Sequence, residues 1–458
     1  MTVAANNARL GGTAVVCGAG IAGLVHARVL ADFYDRVVVI ERDELAEEAA
    51  PRRGVPQGNY LHTLLVGGLR ILRELFPGFV EEMVTLGAHY DCVTSSRKFY
   101  RGNGLQPRFD SDLWTLECSR GMLEWGVRRR VLTLPNVQVL GGRRIVDLAI
   151  AASTSDDRTS VVGVRTQPVV AGGEPTTISG DLVLDATGRT SAGPKWLASL
   201  GYPVPEETSV NGFWGYACRN YQMPEGWAPD WAGMLTVPTG QNGNTRGASW
   251  LRQERNRWLV TLIGCAKDYP PRDEQGFTEW LDSLPEPAFA EPLAGASALD
   301  DIVVWRQTGN RLRRYDRLER RPANLLFTGD SVCALNPVYA QGMTVACLGA
   351  RELDRALGEG GDDLAGRFQR RLADALRFSW TTSTSADHTV PDAEGDPPDD
   401  DEADLARRWQ RAVALTADDP TVMRLFWETL CLVRGPDWLS DGDIADRLTA
   451  EDTTAERT

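Results

Sequence analysis

The sequence predicts an α/β fold, in which a parallel sheet flanked by helices is interrupted by a mixed sheet and followed by a helical C-terminal region. The β-branched run at residues 13–16, a strand-like run ending in Asp185 and the apolar run "NLLF" (324–327) are each followed by a glycine within a few positions, as strands that turn into helices often are. Tryptophan-rich segments with strand-like alternation occupy residues 211–307, and amphipathic segments with helical spacing follow residue 360.

Composition and charge narrow the classes of partner. The chain has 458 residues, of which 42% are apolar and 24% charged, and this length predicts two or three structural units. The 49 basic and 63 acidic residues give a net charge of -14. An excess of acid argues against nucleic acid as a partner and against docking on an anionic membrane.

Cysteine and histidine usage carries two further expectations. The eight cysteines are scattered without a Cys-x-x-Cys spacing, which predicts reduced thiols and a cytoplasmic protein. The four histidines stand at no metal-ligand spacing to Cys, Asp or Glu, so no metal site is expected. No apolar segment reaches the length of a membrane span, and the N-terminus lacks the basic and apolar regions of a signal peptide, so no membrane insertion is expected.

The clearest local motif lies near the N-terminus. Gly18, Gly20 and Gly23 form G-x-G-x-x-G between a β-branched run and a helical stretch at 21–33, and Glu41 ends a second strand. In this Rossmann-like arrangement the first glycine permits a tight turn, the second lets backbone approach a pyrophosphate, and the third lets helix and strand pack. The helix N-terminus favours phosphates, and Glu41 can accept hydrogen bonds from a ribose. NAD and FAD both satisfy this motif.

Two later segments make the pattern more specific. The segment "GDLVLDATGRTSAG" (180–193) is a strand followed by Ala-Thr-Gly, and "TGDSVCALNPVYAQGM" (328–343) is a late Gly-Asp followed by a long loop of small residues. Together with G-x-G-x-x-G they resemble the flavoprotein monooxygenases related to p-hydroxybenzoate hydroxylase. The resemblance implies FAD as cofactor, with Asp330 on the ribityl chain and the loop residues Pro337, Gly342 and Met343 beside the flavin ring.

The resemblance extends to arginines. "LECSRGMLEW" (116–125) is similar to a family helix whose arginine, here Arg120, reaches the FAD phosphates or ribityl chain. Arg42 and Arg53 are expected to bind the cofactor as well. If the resemblance is set aside, the plain interpretation of Asp330 is a helix N-cap or turn aspartate, and that of Arg120 is a surface arginine.

A narrower resemblance rests on "PRRGVPQGNYLHTLLVGGLRILRELFPG" (51–78) and on Asn336-Pro337. Both are similar to segments of actinobacterial polyether (ionophore) epoxidases. This implies secondary metabolism: a flavin hydroperoxide inserts one oxygen atom into an apolar natural-product intermediate, first of all by alkene epoxidation. The alternatives are an aromatic hydroxylase of the same fold, a flavin dehydrogenase or isoprenoid-type reductase without oxygen chemistry, and a flavin- or ligand-binding protein without turnover.

Two absent motifs refine this expectation. The sequence has no second G-x-G-x-x-G, so NADPH or NADH is expected to donate electrons transiently or through a partner flavin reductase. It also has no W-x-W-x-I-P segment of the kind that flavin halogenases carry, which disfavours halogenation. The expected partners are an apolar small molecule and molecular oxygen, with a carrier-bound substrate as a further candidate.

Domains are expected to alternate along the chain. The predicted ranges are 1–85, 114–200 and 300–360 for the FAD-binding domain, 86–113 and 201–299 for the substrate-binding domain, and 361–458 for the C-terminal helical region, with a mobile acidic loop at 391–404.

The substrate pocket is predicted from aromatic residues. Of the 14 tryptophans, most lie between residues 196 and 305. Trp214, Tyr216 and Arg219 on one strand are predicted to line the pocket, although aromatic residues in strands are more often core. No catalytic residue is certain; the candidates are His62, Tyr216 and Arg219, and His62 is equally a candidate structural histidine.

Overall fold

A computed structural model describes residues 10–52, 54–101, 104–151, 160–170 and 172–449. None of the helices described there is long and apolar enough to cross a membrane. The helices are α1 (Ile21–Phe33), α2 (Val66–Leu75), α3 (Phe79–Thr85), α4 (Val93–Ser96), α5 (Arg120–Leu132), α6 (Gly193–Ser199), α7 (Glu274–Asp282), α8 (Gly342–Gly358), α9 (Leu364–His388), α10 (Asp400–Leu415), α11 (Pro420–Leu430) and α12 (Gly442–Thr449).

The strands of the described residues are mostly short. They are β1 (Thr13–Cys17), β2 (Arg36–Ile40), β3 (His89–Cys92), β4 (Arg97–Arg101), β5 (Gly104–Leu105), β6 (Trp114–Glu117), β7 (Val137–Leu140), β8 (Arg143–Ile150), β9 (Val161–Pro168), β10 (Thr176–Ser179), β11 (Leu182–Asp185), β12 (Glu207–Asn211), β13 (Gly215–Gln222), β14 (Gly233–Thr236), β15 (Arg246–Arg252), β16 (Arg257–Gly264), β17 (Ser297–Ala298), β18 (Val303–Trp305), β19 (Asn310–Arg313), β20 (Leu325–Phe327), β21 (Cys333–Ala334) and β22 (Glu394–Gly395).

Five strands form a parallel sheet in the order β20-β11-β1-β2-β7. Its strands are mostly buried: helices α1, α8 and α9 pack together against the sheet, and β8, β9 and β10, which form a separate three-stranded antiparallel sheet, contact β2, β11 and β1. The three strand-like runs that predicted the fold are β1, β11 and β20. They lie side by side, so the α/β prediction is confirmed.

A larger mixed sheet forms the second half, in the order β17-β13-β16-β15-β14-β4-β5, with β18 paired to β13. Its pairs are antiparallel except for β14 and β4, which run parallel. Strand β4 comes from far earlier in the chain than β13–β16. The predicted strand at 211–223 is shorter than expected, because β13 begins only at Gly215.

The C-terminal helices pack onto both halves. Strand β22 pairs with β12, so the chain after α9 returns to a four-stranded sheet of order β21-β19-β12-β22. Helices α10 and α11 enclose an aromatic cluster that includes Phe378, Trp409 and Phe426. These helices therefore cover one side of the mixed sheet.

The acidic segment 391–404 was predicted to be one mobile loop, and this prediction is wrong for its last residues. Residues 400–404 form the first turn of α10. The side chain of Asp399 accepts a hydrogen bond from the backbone N–H of Glu402, and Glu402 reaches back to the N–H of Asp399. This reciprocal capping, together with acidic residues at the positive end of the helix dipole, stabilises a helix start there.

Candidate active site

The first of two neighbouring cavities lies where the parallel strands end. It has a volume of about 450 Å³, and the turns after β1, β11 and β20 all contribute to its wall, as expected at the carboxyl ends of an open parallel sheet. Most predicted cofactor residues line it, namely Gly18, Gly20, Glu41, Arg42, Arg120, Asp330, Pro337, Gly342 and Met343. Arg53 lies outside the described residues.

The glycines of the G-x-G-x-x-G motif have different reasons to be glycine. Gly18 has φ of +104°, and a Cβ there would stand 2.6 Å from the carbonyl oxygen of Ala186. A Cβ on Gly23 would stand 1.8 Å from the carbonyl oxygen of Gly18, so helix α1 can approach β1 only without it. A Cβ on Gly20 would meet only Arg52, at 3.8 Å. Gly20 is therefore not required by packing and leaves room for a ligand.

Glu41 is held in a buried network of charged side chains around Arg52. Sequence analysis did not identify Arg52 as a site residue. Glu41 accepts a hydrogen bond from the N–H of Ala19 at 2.9 Å. Its carboxylate lies 3.0 Å from the guanidinium of Arg52. Arg52 also donates to Asp43 at 3.0 Å and to Glu124 at 2.5 Å. Burial opposes the charge of Arg52, but the carboxylates of Glu124 and Glu41 outweigh it and raise the pKa of Arg52. The adjacent arginines of "PRR" were the only sequence signal for this role.

Two arginines on the cavity wall keep unused donors. Arg120 begins α5 and is bound through one nitrogen to Glu124 at 3.1 Å. Arg189 follows the Ala-Thr-Gly turn and donates to the carbonyl oxygen of Gly309 at 2.8 Å. The Nε atoms of both side chains are buried and have no hydrogen-bond partner among the residues that the structure describes. Buried donors normally have acceptors, so these two atoms fit an anionic or polyol ligand in the cavity.

Asp330 supplies an acceptor on the wall of the same cavity. It is half-buried directly after β20, and the turn that carries it is fixed by Thr328 and Ser331 rather than by its own side chain. Burial raises the pKa of Asp330, while the nearby charges of Arg189 and Arg120 act to lower it. The helix-cap alternative for Asp330 is thereby disfavoured. Carboxylate and guanidinium groups in one cavity suit a ligand with both hydroxyls and phosphates, as FAD has.

His62 lines the first cavity but is unsuited to act as a base. Its Nδ1 atom is hydrogen-bonded with the carbonyl oxygen of Tyr60 at 2.9 Å. Burial, and then the positive charge of Arg120, lower the pKa of His62 to about 3. A general base works best with a pKa near the working pH, so the imidazole of His62 is neutral and only weakly basic at neutral pH.

A second cavity of about 860 Å³ adjoins the first. Leu61, Thr63 and Ala340 line both cavities, so the two meet beside the loop that precedes α8. All of β4, much of β14 and several residues of α9, α10 and α11 form the rest of the wall. The second cavity is therefore enclosed between the mixed sheet and the C-terminal helices.

The structure separates the three predicted pocket residues. Trp214 lines the second cavity, whereas Tyr216 and Arg219 line neither of the two cavities. The hydroxyl of Tyr216 donates to Oδ1 of Asn336 at 2.9 Å, and burial raises its pKa well above 10. We therefore correct its assignment as a pocket residue and candidate base.

Arg219 needs the same correction. It donates to the carbonyl oxygen of Asp300 at 2.8 Å and lies over the ring of Tyr221, 5.6 Å from its centroid. Successive residues of a strand point to opposite faces. Arg219 therefore shares the face of Tyr221 and cannot share that of Trp214 and Tyr216, so a pocket or catalytic role is not supported.

Asp387, near the end of α9, is a site residue that sequence analysis missed. It accepts hydrogen bonds from Asn310 at 2.8 Å, from Asn336 at 3.1 Å and from the hydroxyl of Tyr339 at 3.0 Å. Burial raises the pKa of Asp387 to about 7. Asn336 lines the first cavity and Tyr339 the second. One buried carboxylate thus holds the loop that separates the two cavities, and no local sequence pattern marks it.

Comparison with solved structures identifies the class of fold. The chain is similar to a triple mutant of the flavin-dependent brominase Bmp2, with 14% identity and a TM-score of 0.64 over 93% of this chain and 97% of that chain. It is also similar to PqsL, a probable FAD-dependent monooxygenase from Pseudomonas aeruginosa, with 17% identity and a TM-score of 0.58 over 91% of this chain and 100% of that chain. The protein therefore has the α/β fold of FAD-dependent monooxygenases and halogenases.

Sequence comparison identifies the family. No protein-family model matches the chain. Protein Rv3254 of Mycobacterium tuberculosis (strain ATCC 25618 / H37Rv) is 34% identical over 417 residues, which are 88% of this chain and 84% of that protein. The chain belongs to the family of this mycobacterial protein.

Proposed function

We propose that the protein binds FAD in the first cavity and is an FAD-dependent monooxygenase of an apolar substrate held in the second. The observation that carries the proposal is the junction of the two cavities at Leu61, Thr63 and Ala340. A substrate in the larger cavity would meet a cofactor in the smaller one only there. The fold shared with FAD-dependent enzymes and the unused donors of Arg120 and Arg189 support FAD as the cofactor.

Each wall residue has a role in holding FAD. Arg120 and Arg189 donate to phosphate or ribityl oxygens, Asp330 accepts from the ribityl hydroxyls, and the absent side chain of Gly20 admits the pyrophosphate. Glu41 accepts from a ribose hydroxyl while Arg52 balances its charge. When bound and reduced, FAD supplies the electrons that activate molecular oxygen.

The protein's part in the reaction is to position the substrate and exclude water. The second cavity is lined by aromatic side chains that include Trp214, Trp409 and Trp427, so an apolar molecule displaces water from it. Epoxidation of an alkene needs neither a protein nucleophile nor a base. We therefore favour alkene epoxidation of an apolar natural-product intermediate, in line with the resemblance of "RRGVPQ" and Asn336-Pro337 to the polyether epoxidases.

Aromatic hydroxylation is the second candidate, and one observation favours it. Tyr339 lines the second cavity, and its hydroxyl donates to Asp387, whose pKa of about 7 is suited to proton exchange at neutral pH. A phenol bound beside Tyr339 would have a route for its proton. The electron donor is proposed to be NADPH or NADH, used directly or through a partner reductase in the cytoplasm.

The test is a reoxidation experiment on purified protein. FAD binding is first titrated by quenching of flavin fluorescence. The loaded protein is then reduced anaerobically with dithionite and mixed with oxygenated buffer while the visible spectrum is followed. A transient species that absorbs to the blue of oxidised flavin supports an oxygenase. If alkene substrates shorten the lifetime of this species, epoxidation is supported, and if only phenols shorten it, hydroxylation is supported. Direct return to the oxidised spectrum with every candidate ligand would contradict the proposed oxygenase activity. Failure to bind FAD would contradict the proposed cofactor.

A further inference from the structure

Four cationic side chains line the second cavity, and three of them are neutralised by carboxylates. Arg97 donates through Nε to Glu117 at 3.1 Å. Lys98 pairs with Asp230 at 2.9 Å, and Arg246 pairs with Asp268 at 2.8 Å. These three charges are thus satisfied within the protein. The fourth is Arg101, at the end of β4.

Arg101 has no carboxylate partner within the part of the chain that the structure describes. Its guanidinium lies over the ring of Phe426, 4.8 Å from the centroid, and it forms no ion pair or side-chain hydrogen bond with the described residues. Of the described residues that line the same cavity, Glu286 is the one carboxylate, and it does not pair with Arg101. Burial lowers the pKa of Arg101, and no nearby acid offsets this effect. A half-buried guanidinium without an anion is costly to maintain in a stable fold.

The contact with Phe426 leaves the hydrogen-bonding capacity of Arg101 free. A guanidinium has five N–H donors in its plane, and contact with an aromatic ring uses none of them. Two of these donors match the two oxygens of a carboxylate in a bidentate pair. The aromatic cluster of α10 and α11 beside it offers apolar surface to the rest of such a ligand.

We propose that Arg101 binds the carboxylate of an apolar organic acid, which makes the substrate of this cavity an acid. The inference rests on the proposed function in one respect, namely that the second cavity holds the substrate. It adds the chemical class: an apolar body that fills a cavity of about 860 Å³ and a single anionic group that pairs with Arg101. Neutral molecules of the same shape leave the guanidinium unpaired.

The test measures ligand binding and needs no turnover. Full-length purified protein is titrated with cis-parinaric acid, a fluorescent polyunsaturated carboxylic acid, and with its methyl ester. We expect the acid to bind about 10-fold or more tightly than the ester, because hydrogen bonds to charged groups are stronger than neutral ones. Arg101→Gln should abolish that preference, and Arg101→Lys, which keeps the charge, should reduce it without abolishing it.

Arg246→Gln is the matched control, since Arg246 lines the same cavity but is paired with Asp268. This variant should keep the preference for the acid. Equal binding of acid and ester by the wild type, an intact preference in Arg101→Gln, or no binding of either probe would each overturn the proposal. Stronger competition by dodecyl phosphate than by dodecanoate would overturn the assignment to a carboxylate. FAD is titrated separately, so failure of the cofactor proposal would be recognised independently.

Discussion

Tyr339 and Asp387 are joined by a hydrogen bond of 3.0 Å that links the wall of the second cavity to the end of α9. The same carboxylate accepts from Asn336, which lines the first cavity. Asn336 and Tyr339 lie on one loop, and Asp387, which is 48 residues beyond Tyr339 in sequence, fixes that loop where the two cavities meet.

Ionisation of Asp387 should lower stability as pH rises. Its pKa is about 7 in the folded protein against 3.8 for an ordinary aspartate. Between these values the folded state binds more protons than the unfolded state, so the free energy of unfolding falls with rising pH, by about 4 kcal/mol from this group alone. The effect is complete about one pH unit above the folded-state pKa. Urea unfolding between pH 4.5 and 8 measures it.

The variant Asp387→Asn should remove this pH dependence and destabilise the fold. An amide has no charge to desolvate, but its NH₂ group would face donors from Asn310, Asn336 or Tyr339. We expect a cost of about 1–3 kcal/mol for the unsatisfied groups. Asp374→Asn, at an exposed position of the same helix, is the control. A constant difference between wild type and Asp387→Asn across the pH range would refute the raised pKa.

Gly20→Ala and Gly23→Ala form a matched pair that separates binding from folding. A Cβ on Gly20 has no protein atom nearer than 3.8 Å, whereas a Cβ on Gly23 would stand 1.8 Å from the carbonyl oxygen of Gly18. Gly20→Ala should therefore leave the thermal midpoint of the FAD-free protein unchanged and weaken FAD binding about 10-fold or more. Gly23→Ala should lower the midpoint itself. If Gly20→Ala and the wild type bound FAD equally well, the proposal that the pyrophosphate lies at this turn would be contradicted.

Sequence analysis succeeded where the signal is local. The turn after β1, the strand that ends in Asp185 and the Gly-Asp after β20 are short patterns whose backbone geometry is set by adjacent residues. Parallel strands bring their carboxyl ends together, so these separate motifs converge on one cavity. The fold class follows for the same reason.

The remaining site residues depend on contacts between distant segments. Asp387 lies within an otherwise ordinary helix, and its role appears only when α9 packs against Asn310 and Asn336. The alternation of side chains along the segment that forms β13 can be read from the sequence, and it places Arg219 and Tyr216 on opposite faces of the strand. The prediction that both residues line one pocket therefore disagreed with this alternation. The capping residues Asp399 and Glu402 were a readable signal for the start of α10.

Asp330→Ala should weaken FAD binding without unfolding the chain. The turn that holds Asp330 is fixed by Thr328 and Ser331, and its own carboxylate is half-buried on the cavity wall. Loss of a charged hydrogen-bond acceptor should raise the Kd for FAD about 10-fold or more. Flavin retention after gel filtration and the thermal midpoint of the FAD-free protein measure the two effects. Asp301→Ala, at an exposed position, is the control, and full flavin retention by Asp330→Ala would contradict the ribityl assignment.

Arg52→Met should destabilise the fold strongly, because it leaves three carboxylates without their shared cation. Arg52 contacts Glu41, Asp43 and Glu124 at 3.0, 3.0 and 2.5 Å, and all four side chains are largely buried. Breaking a buried ion pair from one side typically costs about 3–5 kcal/mol. Urea unfolding measures this cost. Arg42→Met, at an exposed neighbouring position, should cost about 0.5 kcal/mol or less.

Adding Glu124→Gln to Arg52→Met should restore part of the lost stability. The amide removes one uncompensated charge, although Glu124 also pairs with Arg120 at 3.1 Å. The double variant should therefore be more stable than the sum of the two single changes predicts, with a coupling of about 1–3 kcal/mol. Strict additivity would show that Arg52 and Glu124 do not interact in solution. Glu41 and Asp43, each 3.0 Å from Arg52, would then be the carboxylates that hold its guanidinium.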